Sequence, residues 1–188
     1  MVLLMTSVAN KYYNTLNEFG IDTALHLGTA WYPDAWAFCR DAGKKYNVSP
    51  ERVAAMVAVT SPRARWSKNT AAVAMILDDM HLPEFKRQDN YGILSVNARK
   101  AMLIANDRYY SRHVTGPKVS NFYLNILGYH EPITVDSIMS KAAGYSSDVN
   151  NRIRSEVEQG IRTLSEVIGI SPRDTQAAVW CAYRGSGD

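Results

Sequence analysis

The sequence predicts an all-α fold. Three observations carry that reading. Apolar residues recur at helical spacing through most of the 188 residues. Helix-start signals repeat: Ser49-Pro50-Glu51 and Ser171-Pro172-Arg173-Asp174 each place a capping serine before a proline, with an acid in the first turn. No alternating apolar–polar run and no two-residue hairpin signal occurs, so nothing reads as a strand. Internal repeats and low-complexity tracts are absent, and roughly eight or nine helices account for the chain.

Residues 3–19 read as the first helix, with Tyr12, Tyr13, Leu16 and Phe19 as its inner face. Residues 22–29 read as a short helix or turn, and Pro33 as the start of a helix to about Tyr46. Trp31 and Tyr32, just before it, read as packing residues. Glu51–Thr60 is apolar nearly all round, as a helix buried on every side must be. Ser61-Pro62 stops it, and Arg63-Ala64-Arg65-Trp66 leads into an alanine-rich helix over 67–80. Residues 81–94 read as the longest loop. Residues 95–112 form the next helix, closed by Arg108 to Arg112. Gly116-Pro117 makes a turn, because glycine permits positive φ and proline fixes its own. The following helix places Val119, Phe122, Tyr123 and Ile126 on one stripe and ends at Gly128. Pro132 to Val135 are extended, and Asp136 stands where a helix N-cap belongs. After a polar loop, 151–168 is amphipathic on Ile153, Val157, Ile161 and Leu164. The last helix runs to about Arg184, and 185–188 reads as a frayed tail.

Composition bounds the function. Hydrophobic residues make up 46% of the chain, enough for a full core. The net charge is +3, but it is unevenly spread. Residues 99–118 hold Arg99, Lys100, Arg108, Arg112 and Lys118 against Asp107 alone, and 63–68 hold Arg63, Arg65 and Lys68 with no acid. Such clusters suit phosphate, or form a solvated helix face. The two cysteines, Cys39 and Cys181, lie far apart and fit no metal-ligand spacing, so neither a metal site nor a cofactor is expected. No apolar run reaches membrane-spanning length. The expectation is an intracellular, reduced protein, monomeric and without membrane contact.

The stretch 108–144 carries the chemistry. Lys118 lies in the first turn of a helix, and Asp136 caps the next, 18 positions later. A helix start offers unpaired N–H groups and a positive dipole end, which suits phosphate. The order of glycine turn, lysine, apolar helix, Gly128, Pro132 and Val135-Asp136 resembles the helix-hairpin-helix DNA glycosylase superfamily (HhH-GPD) over about forty residues. The family hairpin reads Leu-Pro-Gly-Val-Gly, whereas here Val114 stands at the first glycine and Gly116 at the second. The residue two after the aspartate, often His in the family, is Ile138 here.

That resemblance implies one chain-long domain over 1–188, two-lobed, with the N- and C-terminal helices as a second lobe. It implies Asp136 as the catalytic carboxylate and Lys118 as an amine that attacks C1′, or otherwise as a phosphate contact. Arg112, His113, Thr115 and Gly116 would hold the DNA backbone. Arg63, Arg65, Trp66 and Asn69 would probe the duplex when a base is turned out; the alternative for them is a helix corner with solvated arginines and a Trp lid on the core. Without the resemblance, Asp136 reads as a plain N-cap. The implied function is excision of a modified or damaged base from duplex DNA. Two alternatives stand beside it. One is a phage DNA base-hypermodification enzyme acting on modified thymine, which fits a small chain of viral or mobile origin. The other is a non-catalytic DNA-binding module that kept the fold.

Overall fold

The computed structural model describes residues 5–80, 82, 90–146 and 148–188. Among them stand nine α-helices and no strand: α1 Ser7–Phe19, α2 Ile21–Tyr46, α3 Pro50–Thr60, α4 Trp66–Asp79, α5 Ser95–Asn106, α6 Pro117–Ile126, α7 Ser137–Ala142, α8 Asn151–Ile168 and α9 Pro172–Arg184. The all-α class holds. The loop expected over 81–94 lies largely outside the described residues.

The chain divides into two compact units. A terminal unit comprises Met1–Asp34 and Gly128–Gly187, and a central unit comprises Ala35–Leu127 with Asp188. In the terminal unit α1 packs on α8 and α9, and α7 packs on α9. The predicted stripe of α8 is borne out, since Ile153, Val157, Ile161 and Leu164 are all fully buried with Tyr12 and Leu16 of α1. Close approach at α9 depends on Gly28, whose added Cβ would lie 2.5 Å from the Ala178 backbone nitrogen. In the central unit α3 is the hub, touched by α4, α5 and α6. Its residues Val53 to Thr60 are all buried, as an all-round apolar helix requires.

Several boundaries differ from the sequence reading. Residues 22–29 and the helix after Pro33 are one helix, α2, with Pro33 inside it. A proline removes one i→i−4 bond but does not stop a helix whose flanking turns are packed. The chain passes from the terminal to the central unit one residue after it, at Asp34–Ala35.

Helix α5 stops at Asn106 rather than running to Arg112. Asp107 turns extended (φ −86°, ψ 128°), and a 3₁₀ turn covers Tyr110–His113. The cause is local: the Asp107 carboxylate accepts from the Tyr109 N–H at 2.9 Å, an alternative to the helical bond. On α6, Phe122 and Ile126 are buried, but the third buried position is Asn125, with Val119 and Tyr123 half-buried. The tail is held rather than frayed. The Trp31 indole N–H donates to the Gly187 carbonyl at 2.9 Å, and the Asp188 carboxylate accepts from the Ser67 N–H at 2.7 Å.

Candidate functional site

In the central unit the hairpin region is built around Asp107. Its Oδ2 takes Arg112 Nε at 2.7 Å and His113 Nε2 at 2.8 Å. The Tyr109 backbone N–H, then the His113 and Arg112 contacts, hold this carboxyl below the usual carboxylate range. Arg52 braces the same region from α3. It donates to the Ala105 carbonyl at 2.8 Å and stacks 4.9 Å from the Tyr110 ring centre. The chain then reaches Thr115 and Gly116, both exposed. Gly116 has φ +87°, a conformation that other residues rarely adopt, and it serves as the N-cap of α6 with Pro117 at N1. Glycine has no side chain, so the start of α6 carries no side-chain cap bond. Lys118 sits in its first turn, half-buried.

The α3–α4 corner also lies in the central unit. Arg63 is exposed with φ +64°, one of two non-glycine residues with positive φ among those described. Such a backbone costs an ordinary side chain on the order of 1 kcal/mol. Arg65 is exposed at the N-cap of α4 and makes no side-chain cap bond. Trp66 is half-buried and meets Phe38 edge-on at 6.0 Å.

Asn69 is not the DNA probe the sequence suggested. It is 2% exposed. Its Nδ2 donates to the Val57 carbonyl at 3.0 Å, and its Oδ1 accepts from the Thr60 hydroxyl. With Nδ2 committed to a carbonyl, Oδ1 must face the hydroxyl, so Asn69 is a clamp between α3 and α4.

The terminal unit holds Asp136. It is the N-cap of α7 and half-buried. Its Oδ1 accepts from the Ile138 and Met139 N–H groups, both at 2.9 Å. Its Oδ2 accepts from the indole N–H of Trp180 on α9, at 3.3 Å. The preceding link is buried at Ile133, Thr134 and Val135, which fixes where the cap stands. Two buried phenols feel the Asp136 charge. Burial first, then Tyr145 and Asp136, pushes Tyr12 well up; its hydroxyl donates to the Met139 carbonyl at 2.9 Å. Burial likewise raises Tyr32, against the opposing pull of Thr134 and Arg173.

Residues 15–187 match the model of a family described as "Family of unknown function (DUF7178)". The chain belongs to that family. No curated protein and no solved structure matches it.

Two features of this DUF7178 member escape sequence reading. The first is the Trp180–Asp136 bond, since a tryptophan inside an amphipathic helix carries no sign of what its N–H meets. The second is a run of buried polar side chains, Arg173 to Gln176, at the head of α9. Arg173 and Asp174 pair at 2.8 Å, Ser171 donates to Asp174 at 2.7 Å, and Tyr32 donates to Gln176 at 2.9 Å. The cap signature Ser171-Pro172 was legible, but the burial behind it was not. Charge also separates by unit. The central unit has 14 Lys and Arg against 8 Asp and Glu, while the terminal unit has 7 against 10. No group of three or more His, Cys, Asp or Glu among the described residues is arranged to hold a metal ion. No helix among them is long and apolar enough to cross a membrane.

Proposed function

We propose that this chain is a DNA-processing protein of the helix-hairpin-helix glycosylase type, excising an altered base. Asp136 is the carboxylate that stabilises positive charge on the sugar as the N-glycosidic bond breaks. Charge placed where charge develops is a large part of catalysis. Lys118, in the first turn of α6, is the amine for C1′ or else a phosphate ligand. Gly116, Thr115, Arg112 and His113, with Arg63, Arg65 and Trp66, contact the nucleic acid.

One observation carries the reading. A positive-φ glycine opens α6 at Gly116, a second at Gly128 (φ +96°) follows it, a buried link runs to Val135, and Asp136 then caps α7 with one oxygen. The surplus of positive charge in the unit that carries Gly116 and Lys118 supports a polyanionic partner.

The test is base release and borohydride trapping on duplexes carrying altered bases or an abasic site, with wild type, Lys118→Ala and Asp136→Asn. An adduct lost in Lys118→Ala assigns the amine. Release without trapping makes Lys118 a phosphate ligand and leaves Asp136 the catalyst. Release only from hypermodified phage DNA selects the base-modification alternative. Binding with no release and no adduct on any duplex overturns base excision and leaves a modification enzyme of another substrate or a DNA-binding module.

A further inference from the structure

We infer that Trp180 is the positioning residue of Asp136, fixing through its indole N–H the carboxylate oxygen left over from helix capping. The role rests on the glycosylase reading; the bond itself does not.

The chain supplies its own comparison. Thr6, Ser49, Asn150 and Ser171 cap α1, α3, α8 and α9, and each side chain accepts one backbone N–H. A hydroxyl or amide oxygen therefore suffices to start helices of up to 18 residues. Asp136 caps a helix of six residues with a full carboxylate. Capping consumes only Oδ1, which spends both lone pairs on the Ile138 and Met139 N–H groups. Oδ2 is not needed for the cap, yet it is met by an indole from a helix 44 residues away in sequence.

The indole is itself held in place. Arg184, one turn further along α9, lies 5.2 Å from its ring centre. Trp31 packs against it at 6.3 Å with planes tilted by 59°, and is anchored by its own N–H on the Gly187 carbonyl at 2.9 Å. The carboxylate is thus gripped at both oxygens by groups that cannot turn away. Among the described residues the indole is the one donor bonded to Oδ2, and it sets the direction of that oxygen. A preorganised carboxylate needs no reorientation as charge develops on a sugar.

Two measurements test this. The first needs no substrate. The chain has four tryptophans, so four indole N–H resonances are expected from nitrogen-15-labelled protein. Trp180→Phe keeps an aromatic ring and removes one of them, which identifies the Trp180 signal. In wild type the bonded N–H exchanges slowly with solvent, and Asp136→Asn moves its signal and speeds the exchange. Asparagine still caps, so this variant keeps the fold. A Trp180 signal with the same position and the same exchange rate in wild type and Asp136→Asn overturns the bond.

The second is steady-state kinetics on whichever duplex releases base. Trp180→Phe lowers kcat by about 10- to 100-fold, the effect of one hydrogen bond to a charged group, and leaves KM unchanged. An unchanged kcat, or a loss confined to KM, overturns the positioning role. A wild type silent on every duplex fails the glycosylase reading and the role with it, while the indole signal still decides the bond.

Discussion

The two units differ in the balance of their charge and in which ions they bury. In the terminal unit, polar groups turn inward on each other: Arg173 on Asp174, Tyr32 on Gln176, Trp180 on Asp136. In the central unit, Asp79 is buried with the Tyr91 hydroxyl on it and Asn69 and Thr60 clamp α3 to α4, but four arginines stand outside: Arg63, Arg65, Arg99 and Arg108 are all exposed. Burying an ion requires a partner at close range, whereas an exposed cation needs none and remains available to phosphate. The difference is a division of charge. The unit with the fixed carboxylate is the acidic one, and the unit with the glycine-started helix is the basic one.

The largest expected effect separates the two. Replacing Arg63, Arg65 and Arg108 together by alanine should lower the steepness of duplex binding against salt by about 0.9 for each phosphate no longer neutralised, so by about 2.7 for three. Arg152→Ala and Arg162→Ala in the terminal unit should leave the salt dependence as it is. Asp136→Asn should leave it too while removing the reaction. Equal sensitivity of both units to arginine removal would break the division.

Packing provides the next contrast, one substitution per unit. Gly28→Ala forces a methyl against the Ala178 backbone and should cost the terminal unit about 1–3 kcal/mol or more. Asn69→Ala strips two buried bonds from the central unit and should cost about 1–3 kcal/mol. Each unit contains its own reporter. Burial pushes the Cys181 thiol of the terminal unit up to about 11 and the Cys39 thiol of the central unit up to about 12. Both should therefore resist alkylation near neutral pH in the folded chain. Timed alkylation should find Cys181 faster in Gly28→Ala and Cys39 faster in Asn69→Ala. Parallel acceleration of both in either variant would mean that the units open together.

What was legible follows from what is periodic. The α8 stripe, the buried α3 helix and the caps at Ser49, Asp136 and Ser171 depend on nearest neighbours along the chain, and sequence spacing carries that information. The α5 end did not follow from spacing, because Asp107 prefers its own turn to a further helical bond. Asn69 was misread because an asparagine beside arginines resembles a surface residue until Val57 and Thr60 are brought to it. The second partner of Asp136 was hidden for the same reason: Trp180 reaches it through the packing of α7 on α9, which no local pattern encodes.

The smallest effect concerns Asp107, which organises the turn before α6. Its folded carboxyl titrates below the ordinary value near 3.8, chiefly through the Tyr109 N–H and then through His113 and Arg112. Ionised Asp107 therefore contributes stability that is fully present above that ordinary value and is lost as pH falls through the lower folded one. Asp107→Asn keeps an oxygen for Tyr109 but loses the charge that holds Arg112 and His113. The difference in melting temperature between wild type and Asp107→Asn should be small at pH 6 and shrink as pH falls through the lowered folded value. Because the carboxylate also offsets positive charge beside Gly116, the same variant should bind duplex slightly more tightly at low salt, and its salt dependence should be marginally steeper. Tighter binding with lower stability would place Asp107 as a brace for the hairpin turn, at some cost to its attraction for phosphate. Weaker binding would mean that the orientation of Arg112 and His113, rather than their charge, is what the nucleic acid reads.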